Sequence, residues 1–229
     1  MKSLFHHRDT GRRAFAASVF LFLFSSPVLA HDVVGELENM SATAKAVLYL
    51  KLGYRHILPG GFDHILFVLS LFLLSARLKP VLWQSLAFTI AHSVSLGLAM
   101  FGVVNISPAI VEPLIALSIV YVALENVFVK RLRPSRIGVV FLFGLIHGLG
   151  FASALTEMGL PQNAFLSSLV MFNTGVELGQ VTVILAAWFF LAKWFGNKPY
   201  YRSYIVIPLS VMIAVVALYW VVARVFPGW

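Results

Sequence analysis

There is no cysteine among the 229 residues. That excludes disulfides, thiolate zinc sites, iron–sulfur clusters and cysteine nucleophiles, so a metal would rest on His, Asp, Glu, Asn, backbone or water. Charge is also scarce. Charged residues make up 11% of the chain and hydrophobic ones 60%, whereas a soluble domain is roughly one quarter charged. This balance excludes a soluble globular enzyme and a disordered chain alike. Acid is the rarer sign, with 9 Asp and Glu against 17 Lys and Arg. The resulting net charge of +8 does not mark a nucleic-acid binder. The cations sit in short clusters between long apolar runs, as topology determinants of membrane proteins do. A Gly-x-x-x-x-Gly-Lys-Ser/Thr phosphate loop is missing too, so any transport would draw on a gradient or a potential.

What is present is mostly membrane. Residues 1–30 read as a cleaved secretory signal. Arg8, Arg12 and Arg13 precede an apolar stretch, Ala14 to Phe24, that is too short to span hydrocarbon. Ser25, Ser26 and Pro27 end it, and Val28-Leu29-Ala30 offers small residues for cleavage. The alternative is an uncleaved anchor helix. Cleavage would leave His31 as the first residue, followed by Asp32. A free amine beside an imidazole can chelate a divalent metal; the plainer reading is a polar start to the mature chain. Residues 31–58 read as a short periplasmic or interfacial segment, with Ser41 or Thr43 capping a helix.

Residues 59–229 carry six apolar runs, near 62–78, 81–103, 108–129, 137–157, 163–192 and 204–226. Most reach the roughly 20 residues that cross a bilayer. The expected fold class is therefore an all-α membrane protein, a six-transmembrane-helix bundle. One set of loops holds nine cations: Arg77, Lys79, Lys130, Arg131, Arg133, Arg136, Lys193, Lys198 and Arg202. The other side of the mature chain holds four: Lys45, Lys51, Arg55 and Arg224. The richer side should face the cytoplasm, placing the chain in a bacterial inner membrane with its mature N-terminus in the periplasm. Gly144 and Gly148, and again Gly175 and Gly179, have the spacing that lets helices approach closely.

Polar residues inside such runs are costly and mark function by default. Asp63 and His64 open the first run after the Pro59-Gly60-Gly61 break; Thr89, His92 and Ser93 lie mid-second; His147 is mid-fourth. Asn173, Glu177 and Gln180 stand at i, i+4 and i+7 on the fifth, one face of a helix. Counting rise per residue, His92, His147 and Asn173 each lie roughly 15 Å below the outer end of their runs, with Glu177 about one turn deeper. Imidazole, carboxylate and amide at one level in an apolar bundle suit a divalent transition metal, so the candidate ligands are Asp63, His64, His92, His147, Glu177 and Asn173. Plainer roles stand beside these. His92 or His147 alone could be a hydrogen bond between helices, and Asn173 alone helix glue. Glu125, with Asn126, reads as an inner ion pair with Lys130 or Arg131, Glu112 as a helix-cap residue, His56 as surface, Glu157 as solvated, and the sixth run as a structural wall.

Four stretches, His56-Ile57-Leu58-Pro59-Gly60-Gly61-Phe62-Asp63-His64, Phe88-Thr89-Ile90-Ala91-His92-Ser93, Phe143-Gly144-Leu145-Ile146-His147-Gly148 and Phe172-Asn173-Thr174-Gly175-Val176-Glu177, resemble the HupE/UreJ family. The likeness spans about residues 54–190. It implies a hydrogenase or urease accessory membrane protein that acts as a nickel or cobalt permease, with Asp63, His64, His92 and His147 as the positions carried over most directly. Two departures mark a divergent branch. The interval from His56 to Asp63 is one residue longer than the family's usual spacing, and His147-Gly148 stands without a repeated His-Gly.

The expected function is thus a transporter of a divalent cation, nickel or cobalt first and zinc or copper next, with the metal as substrate and no prosthetic group. Its partners are the ion, the lipid bilayer and a metallochaperone or metalloenzyme maturation factor. The alternatives are an intramembrane zinc-dependent hydrolase, for which no His-Glu-x-x-His or Gly-x-Ser-x-Gly is present, and a haem-binding protein using His92 and His147 as axial ligands.

Overall fold

A computed structural model describes residues 40–157 and 165–226, excepting the side chains of residues 153, 154, 156 and 157. The expected signal peptide, His31 and the Glu157 carboxylate lie outside the described residues. Among those described, every regular element is a helix.

Ser41 starts the first helix, α1 (Ala42–Ile57), by accepting the Ala44 amide proton at 3.2 Å. The chain then breaks at Pro59-Gly60-Gly61 and restarts as α2 (Phe62–Leu74), bent 69° from α1. Proline cannot continue the helical ladder. A Cβ at Gly61 would overlap the His56 carbonyl, so only glycine lets the chain fold back on itself here. Next come α3 (Leu78–Met100), α4 (Pro108–Phe128, capped by Ser107) and α5 (Arg136–Glu157). The last two are α6 (Phe165–Phe195) and α7 (Arg202–Val225), which contain π-helical turns at Trp188–Ala192 and Arg202–Val206.

Four of these, α3, α4, α6 and α7, are long and apolar enough to cross a membrane, and the bent α1–α2 pair is a fifth if taken as one span. The six expected runs therefore appear as four or five spans by length and composition, because α2 has 13 residues and the apolar stretch of α5 is short. Large apolar side chains on the bundle's outside, such as Met212 and Val215 at over 60% exposure, fit a lipid solvent rather than water. The protein is a multi-pass membrane protein.

Helices meet in pairs through small residues. On α5, a Cβ at Gly144 would fall on the Phe88 carbonyl, and one at Gly148 on the His92 carbonyl. The increasing register makes α3 and α5 parallel. Likewise a Cβ at Gly53 of α1 would fall between the Phe172 carbonyl and the Val176 amide of α6, one at Gly175 between the Leu50 carbonyl and the Tyr54 amide, and one at Gly179 on the Ile57 side chain, a rising register that makes α1 and α6 parallel. Such backbone contact replaces the hydrophobic drive that lipid removes. The segment 42–57, expected at the interface, thus packs lengthwise on α6 within the same compact unit as the rest of the bundle. Its charges Lys51 and Arg55 lie on the exposed face while Tyr49, Gly53 and Ile57 turn inward. Antiparallel α4 and α7 are tied at both ends. Arg202 donates to the Val127 and Val129 carbonyls, and Arg224 to the Glu112 carbonyl.

Candidate metal centre

The α1–α2 break brings His56, at the end of α1, against His64, at the start of α2, with ring centroids 4.6 Å apart. The middle of α3 presents His92 to both, at 6.0 and 5.9 Å, and α5 presents His147 to His64 at 5.0 Å. One ring nitrogen from each of His56, His64 and His92 lies within 4.8 Å of the other two. His64, His92 and His147 are buried; His56 is partly exposed, but its Nε2 is not. Phe67, Phe88, Phe151 and Phe172 wall the group, each with its ring about 4–6 Å from one or more of the imidazoles.

Two neighbours set the protons on these rings. Asn173 donates its amide to the Leu169 carbonyl at 2.9 Å, which turns its Oδ1 toward His92 Nδ1 at 3.1 Å. That oxygen only accepts, so His92 donates from Nδ1 and leaves Nε2 as a bare lone pair. Ser118 repeats the device. Its hydroxyl donates to the Ile115 carbonyl at 2.7 Å, and its oxygen faces His147 Nε2 at 2.9 Å. His147 is thereby anchored through Nε2, and its Nδ1 is the ring nitrogen left without a partner. These are the nitrogens without a hydrogen-bond partner: His92 Nε2 and His147 Nδ1, together with His56 Nε2 and His64 Nε2. Each such orphan costs about 1–3 kcal/mol in a folded interior. His56, His64 and His92 form a donor set able to face one electrophile, His147 stands beside it, and the opposite ring nitrogens of His92 and His147 are anchored as metal-site histidines are.

The predicted oxygens stand elsewhere. Asp63 is gripped by Arg224, whose Nη2 lies 3.0 and 2.8 Å from the two carboxylate oxygens. The sixth run is therefore more than a wall, since its terminal arginine reaches the first run. Glu177 accepts from Thr89 at 2.5 Å and Ser85 at 3.3 Å. Gln180 accepts from Ser85 at 2.8 Å and donates to Thr89 at 3.2 Å. This four-residue network lies along the antiparallel α3–α6 contact, next to the His92–Asn173 pair. The Ser93 hydroxyl donates to the Thr89 carbonyl of its own helix at 2.6 Å. No carboxylate joins the imidazole group among the described residues.

Other readings change as well. His56, expected at the surface, is a member of the group. The Pro-Gly-Gly break between His56 and His64 was the available signal, since a sharp turn places its two flanks side by side. Glu125 does form an ion pair, but with buried Arg136 at 3.1 Å rather than with Lys130 or Arg131. Asn126 and Arg136 also bind the Ser70 carbonyl, which joins α2, α4 and α5 at that end. The side chain of Glu112 is exposed, and Ser107 caps α4 instead.

Compared with known families, the chain matches the model described as HupE / UreJ protein over residues 33–224. No curated protein and no solved structure matches it.

Proposed function

The chain belongs to the HupE/UreJ family, and from that premise we propose that it carries a divalent transition-metal ion, nickel or cobalt, across the bacterial inner membrane. The carrying observation is the cluster of His56, His64 and His92, whose ring nitrogens lie within 4.8 Å of one another at the α1–α2 break, with the His147 ring beside His64. In this reading His56, His64, His92 and His147 take the ion as passing ligands. Asn173 and Ser118 are positioning residues: Asn173 holds the His92 proton on Nδ1, and Ser118 anchors the His147 ring through Nε2. Asp63 and Glu177, singled out from the sequence, act beside the site: Asp63 with Arg224 near one mouth, Glu177 with Thr89, Ser85 and Gln180 as the next oxygens along the α3–α6 contact. The ion is cargo, and no prosthetic group is called for. An inside-negative potential favours entry by about 2.3 kcal/mol per charge per 100 mV.

The topology proposed is six crossings: the bent α1–α2 pair, α3, α4, α5, α6 and α7. The parallel registers of α1 with α6 and of α3 with α5 support it, since each pair is separated by an even number of crossings. A cleaved signal peptide and a periplasmic mature N-terminus complete it. Delivery to a metallochaperone or maturation factor is part of the same proposal.

A hydrolase needs a carboxylate or similar base beside its activated water, whereas Asp63 and Glu177 are engaged by Arg224 and by Thr89 with Ser85. Against haem, the Phe88 ring packs on both His92 and His147, with centroids 6.1 and 5.0 Å away. The test is uptake of nickel or cobalt into liposomes holding the purified protein and an internal metal-sensitive dye. Uptake is expected for the native chain and lost for His92→Ala, which should still insert. Undiminished uptake by that variant would overturn the proposal, and stoichiometric binding without passage would make the protein a store.

A further inference from the structure

A second site lies at the opposite end of the bundle, where the α2–α3 turn, the α4–α5 loop and the α6–α7 connection meet. They enclose an open cleft of about 860 Å³, within the range of small-molecule sites. Five cations line it: Arg77, Lys130, Arg131, Lys193 and Arg202. No Asp or Glu is among its lining residues. Arg202 is spent on the carbonyls ending α4, and Lys193 rests over the Phe189 and Trp194 rings. Arg77, Lys130 and Arg131 are exposed and have neither an ion pair nor a hydrogen bond among the described residues. Like charges gathered without a counter-charge repel one another unless an anion joins them.

An independent feature points the same way. Tyr201 lines this cleft, is 93% buried, and its hydroxyl has no hydrogen-bond partner. A buried phenol normally finds one. Burial pushes this hydroxyl up to about 12, so it stays protonated and can only serve an incoming group as a donor or weak acceptor. The deeper wall is apolar: Leu73, Leu74, Trp188 and Val206. The cleft thus grades from hydrocarbon to cations, the polarity profile of an anionic phospholipid at the membrane surface.

We propose that this cleft binds the phosphate headgroup of an anionic phospholipid, with Arg77, Lys130 and Arg131 around the phosphate, Tyr201 donating to it, and the acyl chain along Leu73, Leu74 and Trp188. The assignment is independent of the metal reading, since it shares no residue with the imidazole group.

Native mass spectrometry of the full chain in detergent tests it, with phosphatidylglycerol, phosphatidylcholine and inorganic phosphate as separate probes. The expected result is retention of phosphatidylglycerol well above phosphatidylcholine. Each of Lys130→Gln and Arg131→Gln, both on exposed positions, should weaken that retention roughly fivefold. Tyr201→Phe, which keeps the ring, should weaken it by a similar factor. Equal retention of both lipids, or preference untouched in all three variants, would overturn the proposal. Displacement of phosphatidylglycerol by millimolar inorganic phosphate would overturn the lipid assignment and leave a soluble phosphate as the ligand. Metal uptake by the three variants, measured in zwitterionic liposomes, is expected to equal that of the native chain. A failure of the metal reading would therefore leave this result standing.

Discussion

Replacing Asn173 by leucine removes the acceptor that keeps the His92 proton on Nδ1. In the native chain the sequence is fixed: Leu169 carbonyl, Asn173 amide, Asn173 oxygen, His92 Nδ1. Without it, two things change. His92, fully buried, is left with an unsatisfied N–H, costing about 1–3 kcal/mol. The ring can then relieve that cost by moving its proton to Nε2, the nitrogen that has no hydrogen-bond partner. A metal must first displace that proton. The combined effect is a loss of about 10- to 100-fold in metal affinity, the size found when the partner behind a ligand histidine is removed. Asn173→Asp provides the contrast. It keeps an acceptor at the same place and adds a negative charge, so affinity should hold or rise while leucine lowers it. Titration of nickel or cobalt into the solubilised protein reads the affinity, and dye-filled liposomes read the flux. Equal affinities for the native chain and the leucine variant would refute the tautomer argument. An equal loss in both variants would refute it too, since it would show that the amide matters for packing alone.

Further expectations concern the frame. Gly53→Ala and Gly175→Ala each drive a methyl into a backbone carbonyl across the α1–α6 contact. Each should cost about 1–3 kcal/mol and lower the midpoint of thermal unfolding in detergent, while Gly138→Ala, which meets nothing within 4 Å, leaves it in place. A normal midpoint for the first two would mean the helices are not in backbone contact. For Asp63 and Arg224, whose side chains are 26% and 23% exposed, a double-mutant cycle with Asp63→Asn and Arg224→Met should give a coupling of roughly 1 kcal/mol in unfolding free energy. Additive losses would dissolve the pair.

Much of this arrangement was legible because helical spacing is rigid. Asn173, Glu177 and Gln180 at i, i+4 and i+7 do share one face, and that face meets α3 at His92, Thr89 and Ser85. The equal depth assigned to His92 and Asn173 reflects the constant rise of two antiparallel helices. The same count puts His147 at the level of His92. Their rings come no closer to each other than through His64, the ring centrally placed among the other three. What stayed hidden was whatever depends on the direction taken after a break. Lys45, Lys51 and Arg55 dilute the apolar signal of α1, so a helix that packs along its whole length on α6 reads as interfacial. With α1 set aside, His56 could not enter the group. The Asp63–Arg224 pair joins residues 161 apart, and no local pattern encodes such a meeting. Arg136 counts as a loop cation in the sequence, yet it is 2% exposed and tied to Glu125, Asn126 and Ser70. The rule that counts cations by side is blind to whether one of them turns inward.

The charge inventory around the imidazoles bears on whether an ion is held or passed on. A dication and a carboxylate 4 Å apart attract by about 8 kcal/mol at an effective dielectric near 20. A storage site would use that attraction. Here the ligand group is neutral, and the carboxylates singled out beside it are occupied, Asp63 by a guanidinium and Glu177 by two hydroxyls. In the proposed reading, binding would rest on imidazole lone pairs without a carboxylate's attraction, which favours the release that passage requires. Placing an acid inside the group should upset this balance. His64→Asp exchanges the central imidazole for a carboxylate. Desolvation of the new charge consumes most of the attraction, but a net gain of only about 1.4 kcal/mol tightens binding tenfold. The expected outcome is a protein that binds nickel or cobalt more tightly and transports it more slowly. Binding and flux measured on the same preparation separate the cases: if both rise together, or if affinity falls as it would on losing an essential ligand, neutrality of the site is not what governs release.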